Sequence, residues 1–111
     1  MSNKALPPIT HLQFLILDAL TSDEQAGRDL RELLAGFGVK NSGPAFYQMM
    51  ARLESSGLVE GWYDQKLVSG QNVKERRYRL TKQGERAVDA TRAFYVARAS
   101  TLRPARRGSH G

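Results

Sequence analysis

The chain has 111 residues, 41% of them apolar and 25% charged, with a net charge of +6 and no cysteine. That length builds one small core rather than two, and the lack of cysteine excludes disulfides, thiolate metal sites and thiol nucleophiles. No apolar run approaches the roughly 18 residues of a membrane span, and the start of the chain lacks a basic region followed by an apolar stretch, so the sequence predicts a cytoplasmic protein that neither enters nor crosses a membrane.

The positive charge is unevenly placed. Residues 66–82 carry Lys66, Lys74, Arg76, Arg77, Arg79 and Lys82 against Glu75 alone, and Arg103, Arg106 and Arg107 follow near the end. Concentration of this kind suits a polyanion, nucleic acid first and an anionic membrane surface second, with a solvated basic face as the plain alternative. The two histidines, His11 and His110, stand at opposite ends of the chain. With no ligand pair, no glycine-rich phosphate loop and no His–carboxylate motif, the sequence predicts no cofactor, no metal and no enzymatic activity.

Residues 1–8 include Pro7 and Pro8 and read as an arm. Thr10 can cap a first helix that Leu12, Phe14, Leu15, Ile16, Leu17, Ala19 and Leu20 make apolar on nearly every side. Such a helix is central and touches two layers, one of which a partner subunit can supply. After a polar turn, a second helix is predicted over residues 25–35, with Leu30, Leu33 and Leu34 inward, Arg28, Arg31 and Glu32 outward, and Gly36 or Gly38 as its stop.

The third helix carries the clearest local grammar. Asn41 or Ser42 can cap it, Pro44 fits its first turn, and Gly57 can take the left-handed stop. Phe46, Met49, Met50 and Leu53 share one face at helical spacing and point to a core. Gln48, Arg52 and Ser55 lie opposite, with Asn41, Ser42 and Tyr47 at the N-terminal edge. Its two readings are an ordinary amphipathic helix with a solvated face and a DNA-recognition helix.

Residues 58–66 read as a strand, residues 69–72 as a turn, and residues 74–81 as a return strand with Arg76, Tyr78 and Leu80 on one side and Arg77 and Arg79 on the other. This hairpin is a basic wing. Thr81 can cap a last helix whose stripe includes Val88, Thr91, Phe94, Tyr95 and Leu102. A second copy of the chain is the simplest cover for those aromatics, and folding back on the first helix is the alternative. The fold class is therefore mainly α with a small β-hairpin: a winged helix-turn-helix over residues 9–81, an added C-terminal dimerisation helix over 82–102, and a basic disordered tail over 103–111.

These motifs resemble the PadR family of winged-helix transcriptional regulators over about residues 9–100. A Ser-Pro-Gly-Thr-Leu-Tyr start of the recognition helix, then Leu, Arg-Leu-Glu and Gly-Leu-Ile, is similar to Ser42-Gly-Pro-Ala-Phe-Tyr47, Met50, Arg52-Leu53-Glu54 and Gly57-Leu58-Val59. The wing exit, Tyr-Tyr-Arg-Leu-Thr with a later Gly, is similar to Arg77-Tyr78-Arg79-Leu80-Thr81 and Gly84. Ile9-Thr10, Phe14-Leu15-Ile16-Leu17 and Gly27-Arg28-Asp29-Leu30 resemble the signatures of the first two helices. Arg28 and Arg77 depart from the family's tyrosines, Ala45 from its threonine and Gln13 from its glutamate, and the glycine-basic wing is loosened to residues 69–74. The resemblance implies a homodimeric repressor on an inverted-repeat operator in double-stranded DNA, with a small-molecule effector tuning binding in many members.

From the residues, Lys66, Lys74, Arg76, Arg77 and Arg79 are the expected phosphate or minor-groove contacts, with Asn41, Ser42 and Tyr47 at the start of the recognition helix. Gln48 and Arg52 are placed for base edges, since Gln suits adenine and Arg suits guanine. Leu12, Leu15, Val88, Thr91, Phe94, Tyr95 and Leu102 are the expected dimer contacts. The other reading is a winged-helix adaptor for an acidic protein, or a nonspecific DNA binder.

Overall fold

A capping box opens the first helix: the Gln13 amide donates to Thr10 Oγ1 at 3.1 Å and the Thr10 amide to Gln13 Oε1 at 3.0 Å. The computed structural model describes residues 9–108, with side chains through residue 99, so the N-terminal arm, residues 109–111 and the Leu102 side chain lie outside the described residues. The elements run α1 (His11–Ala19), β1 (Gln25–Ala26), α2 (Gly27–Gly36), α3 (Gly43–Ser55), β2 (Val59–Val68), β3 (Gln71–Leu80) and α4 (Lys82–Gly108). The three strands form an antiparallel sheet in the order β1-β3-β2. This is a winged helix-turn-helix.

Two boundaries differ from the sequence reading. The second helix starts at Gly27, because Gln25 and Ala26 pair with Tyr78 and Arg77 of β3 as a short edge strand. Leu33, expected inside, is 39% exposed: Leu30 and Leu34, one turn apart, hold the centre of the buried stripe, and Leu33 falls on its shoulder. The hairpin is longer than expected, ten residues on each side. It closes through Ser69 and Gly70, both at positive φ (54° and 80°), the two-residue turn whose twist matches that of paired strands.

The core gathers Ile16, Leu17 and Leu20 of the α1 region, Leu30 and Leu34 of α2, Phe46, Met50 and Leu53 of α3, Tyr78 of β3 and Val88 of α4. Ser42 caps α3 by accepting from the Ala45 amide at 3.2 Å. Gly57, at φ 78°, ends the helix and lets the Leu58 amide return to the Leu53 carbonyl at 3.0 Å. One hydroxyl then ties three elements together. Thr81 Oγ1 donates to the Gly57 carbonyl at 2.7 Å and accepts from the Gly84 amide at 2.9 Å, while the Thr81 amide donates to the Leu58 carbonyl at 3.1 Å.

The C-terminal helix continues to Gly108, so the tail expected to be disordered from residue 103 is helical as far as that residue. Pro104 lies inside this helix and lacks the amide for one backbone bond. The molecule measures 67 × 29 × 23 Å. Among the described residues, no helix is long and apolar enough to cross a membrane.

Candidate nucleic-acid interface

Phe46, Met50 and Leu53 turn α3 onto the core, and this leaves Ala45, Gln48, Arg52 and Ser55 exposed on its far side. Gln48 and Arg52 are one turn apart and point the same way, and Ala45 beside them adds no bulk that would hold a groove away. Arg52 forms no ion pair among the described residues. Tyr47, 38% exposed, sets its ring edge-on to Phe46 at 5.0 Å, and its hydroxyl occupies the space over Gly27, where a Cβ would come within 2.8 Å. Asn41 is half-buried and its carbonyl accepts from Arg31 at 3.2 Å.

The wing arginines are less free than the sequence suggested. Arg77, its side chain only 19% exposed, is held by Glu24 and Glu75, each at 3.2 Å, and Lys66 reaches the same Glu75 at 3.4 Å. The Glu24 hydrogen bond, against the cost of burial, raises the Arg77 pKa above its ordinary value. Arg79 pairs with Glu60 at 2.6 Å and lies over the Trp62 ring at 5.6 Å. Arg76 pairs with Glu54 at 2.5 Å. Burial works against its charge, but its polar contact with Tyr78 and the Glu54 carboxylate outweigh that and raise its pKa. Among the described residues Lys74 forms no ion pair, and its ammonium lies 5.8 Å from the centre of the Tyr63 ring.

Sequence reasoning did not foresee that these glutamates pair with the wing cations. Strand parity puts Glu75 with Arg77 and Arg79 on one face, and the hairpin register puts Glu60 opposite Arg79, so those two were recoverable once the turn was known. Glu24 was not, because it precedes a strand that only the sheet reveals. Arg77 is accordingly a strut between β3 and the turn before β1 rather than a free cation. Arg77→Ala is expected to cost about 1 to 2 kcal/mol of stability by stranding two carboxylates, with little change in the salt dependence of DNA binding. Chemical denaturation beside a binding titration checks it.

Tyr78 is buried, and burial raises its phenol pKa. The folded state therefore keeps the proton longer than the unfolded chain. The stabilisation is whole below the ordinary phenol value of about 10 and is lost as pH rises through the raised one. Melting curves from pH 8 to 11 are expected to show a fall in stability at the alkaline end that is smaller in Tyr78→Phe.

Of the expected dimer contacts, Val88 and Thr91 are buried within the single chain, at 0% and 2% exposure, in a helix that packs on α1. Thr91 satisfies its hydroxyl on the Ala87 carbonyl at 2.7 Å, and Arg92 pairs with Asp18 of α1. The first turns of α4 thus take the fold-back arrangement that the sequence left as the alternative. Leu12, Leu15 and Phe94 are half-buried, whereas Tyr95 and Val96 are exposed at 49% and 64%. His11 is exposed, and no group of potential metal ligands occurs among the described residues.

No protein-family model matches the chain, and no curated protein matches it in sequence. Its fold is similar to that of a PadR family transcription regulator from Clostridium difficile, with a TM-score of 0.71 at 17% identity over 84% of this chain and 95% of the other. A PadR family transcriptional regulator from Eggerthella lenta gives 0.61 at 27% identity over 82% and 73%. Bacillus subtilis PadR in complex with operator DNA gives 0.58 at 19% identity over 72% and 45%. These neighbours are transcription regulators rather than enzymes. In its fold as in its motifs, the chain resembles the PadR family of winged-helix transcriptional regulators.

Proposed function

We propose that the chain is a sequence-specific, DNA-binding transcriptional regulator that works in the cytoplasm as a homodimeric repressor on an inverted-repeat operator. The observation that carries this reading is the exposed face of α3, where Gln48 and Arg52 stand side by side with no ion pair among the described residues, next to a hairpin of ten residues on each strand. Its support from relatives is the Bacillus subtilis PadR structure with operator DNA. Helix α3 reads bases, and the wing with Lys74 and Arg79 supplies backbone contacts. Tyr95 and Val96 on the outer part of α4 are the apolar surface that a second copy covers. Two such subunits place their α3 helices about 34 Å apart, in successive major grooves.

The deciding experiment is binding of the purified protein to the duplex upstream of its own gene and to a scrambled duplex of equal length, across a salt series. A preference of ~1,000-fold or more for the native duplex at physiological salt establishes a sequence-specific regulator. Equal affinities that both fall steeply with salt mean a nonspecific binder, and no duplex binding at all leaves the adaptor reading. Gln48→Ala is expected to change preference at one position in each half-site, a cost of about 1 to 3 kcal/mol against the best site. Footprinting and competition with single-base variants measure it. A small-molecule effector would act on this binding, and titrating candidate compounds into the same assay reveals one.

A further inference from the structure

Between α3 and the inner face of the wing lies a recess lined by Tyr47, Glu54, Tyr63, Lys74, Arg76 and Tyr78. We propose that this recess is a seat for one DNA phosphodiester, and that Glu54 is an internal competitor which holds Arg76 until a backbone phosphate displaces it. The inference rests on the DNA-binding reading above.

The position comes first. The recess lies between the helix face that reads bases and the hairpin beside it, so a strand passing from one to the other crosses it. Its chemistry suits a phosphate: the cation of Lys74, without an ion pair among the described residues, the Arg76 guanidinium, and the hydroxyls of two tyrosines exposed at 38% and 65%, Tyr47 and Tyr63. Only Glu54 opposes an anion there. Its own helix gives no reason for it, because a carboxylate in the last turn works against the helix dipole, and its neighbours one turn away, Met50 and Ala51, offer no charge. Its ionic partner is Arg76 at 2.5 Å, with both side chains about one quarter exposed, so the pair is within reach of an incoming anion.

Glu54 could act as a brace for Arg76 or as a competitor for it, and the ring contacts decide between the two. The guanidinium lies 4.8 Å from the centre of the Tyr63 ring and 5.5 Å from that of Tyr78, so its plane is held without the carboxylate. Removing the negative charge therefore frees a cation that is already in place. A brace predicts weaker DNA binding in Glu54→Gln, and a competitor predicts tighter binding.

The test compares wild type, Glu54→Gln, Lys74→Ala and, as a control for net charge, Asp89→Asn on the exposed side of α4, each titrated with native and scrambled duplexes across a salt series. Expected are about tenfold tighter binding of both duplexes by Glu54→Gln, with a salt slope steeper by about one, and no gain in Asp89→Asn. Lys74→Ala should weaken both duplexes alike and flatten the slope by about one. If melting curves show that Glu54→Gln folds poorly, Glu54→Ala takes its place with the same expected gain, so the test stays decisive. Unchanged or weaker binding by Glu54→Gln, an equal gain in Asp89→Asn, or an unaffected Lys74→Ala overturns the inference while the DNA-binding reading stands. A wild-type chain that binds no duplex even at low salt overturns both.

Discussion

Gly84→Ala is expected to destabilise the protein by about 3 kcal/mol, a fall in Tm of roughly 15 °C for a chain of this size. A Cβ at this position would lie 2.2 Å from the Leu58 carbonyl oxygen and 2.7 Å from Leu80 Cδ1. The side chain could move, but the backbone oxygen cannot move alone, because it accepts the Thr81 amide that starts the last helix. Relief means separating α4 from the end of α3, which opens the core at Leu58 and Val88. Gly36→Ala is the matched control: its Cβ meets nothing within 4 Å, and alanine there should be neutral or stabilising by up to about 1 kcal/mol. Calorimetry of the two variants measures both, and a mild Gly84→Ala would mean that the contact between α4 and the wing exit is looser than described.

The second large effect is functional. Arg52→Glu is expected to lower affinity for the native duplex by on the order of 100-fold or more, because on the proposed reading it replaces a cation at the base edges with an anion facing the phosphates. Stability should barely change, since Arg52 is exposed and carries no ion pair among the described residues. Arg52→Ala should lose less overall and should relax preference at one base pair, which separates recognition from simple repulsion. If Arg52→Glu binds as wild type does, α3 does not face DNA.

The third helix was legible because its signals are local. Ser42, Pro44 and Gly57 act through the backbone within a turn of themselves, and Phe46, Met50 and Leu53 give a period that needs no partner. What escaped depends on distant pairing. Gln25 and Ala26 look like the start of a helix until Tyr78 and Arg77 arrive beside them. The arginines of the wing look like a free cationic surface until the sheet places Glu24, Glu60 and Glu75 next to them. In α4 the apolar stripe was readable, but periodicity cannot say what covers it. Val88 and Thr91 are buried within the single chain, in a helix that packs on α1, whereas Tyr95 and Val96 are exposed.

The hydroxyl of Thr81 has a mechanical consequence. By fastening the end of α3, the exit of the wing and the first turn of α4, it ties the proposed reading head to the base of the long helix. Helix α4 is 27 residues long, about 40 Å, and so behaves as a lever welded to that head. In the proposed dimer, a tilt of about 10° where two such levers meet swings each head by roughly 7 Å, a fifth of the spacing between successive major grooves. A signal arriving at α4 would leave each head intact and throw the pair out of step with the DNA.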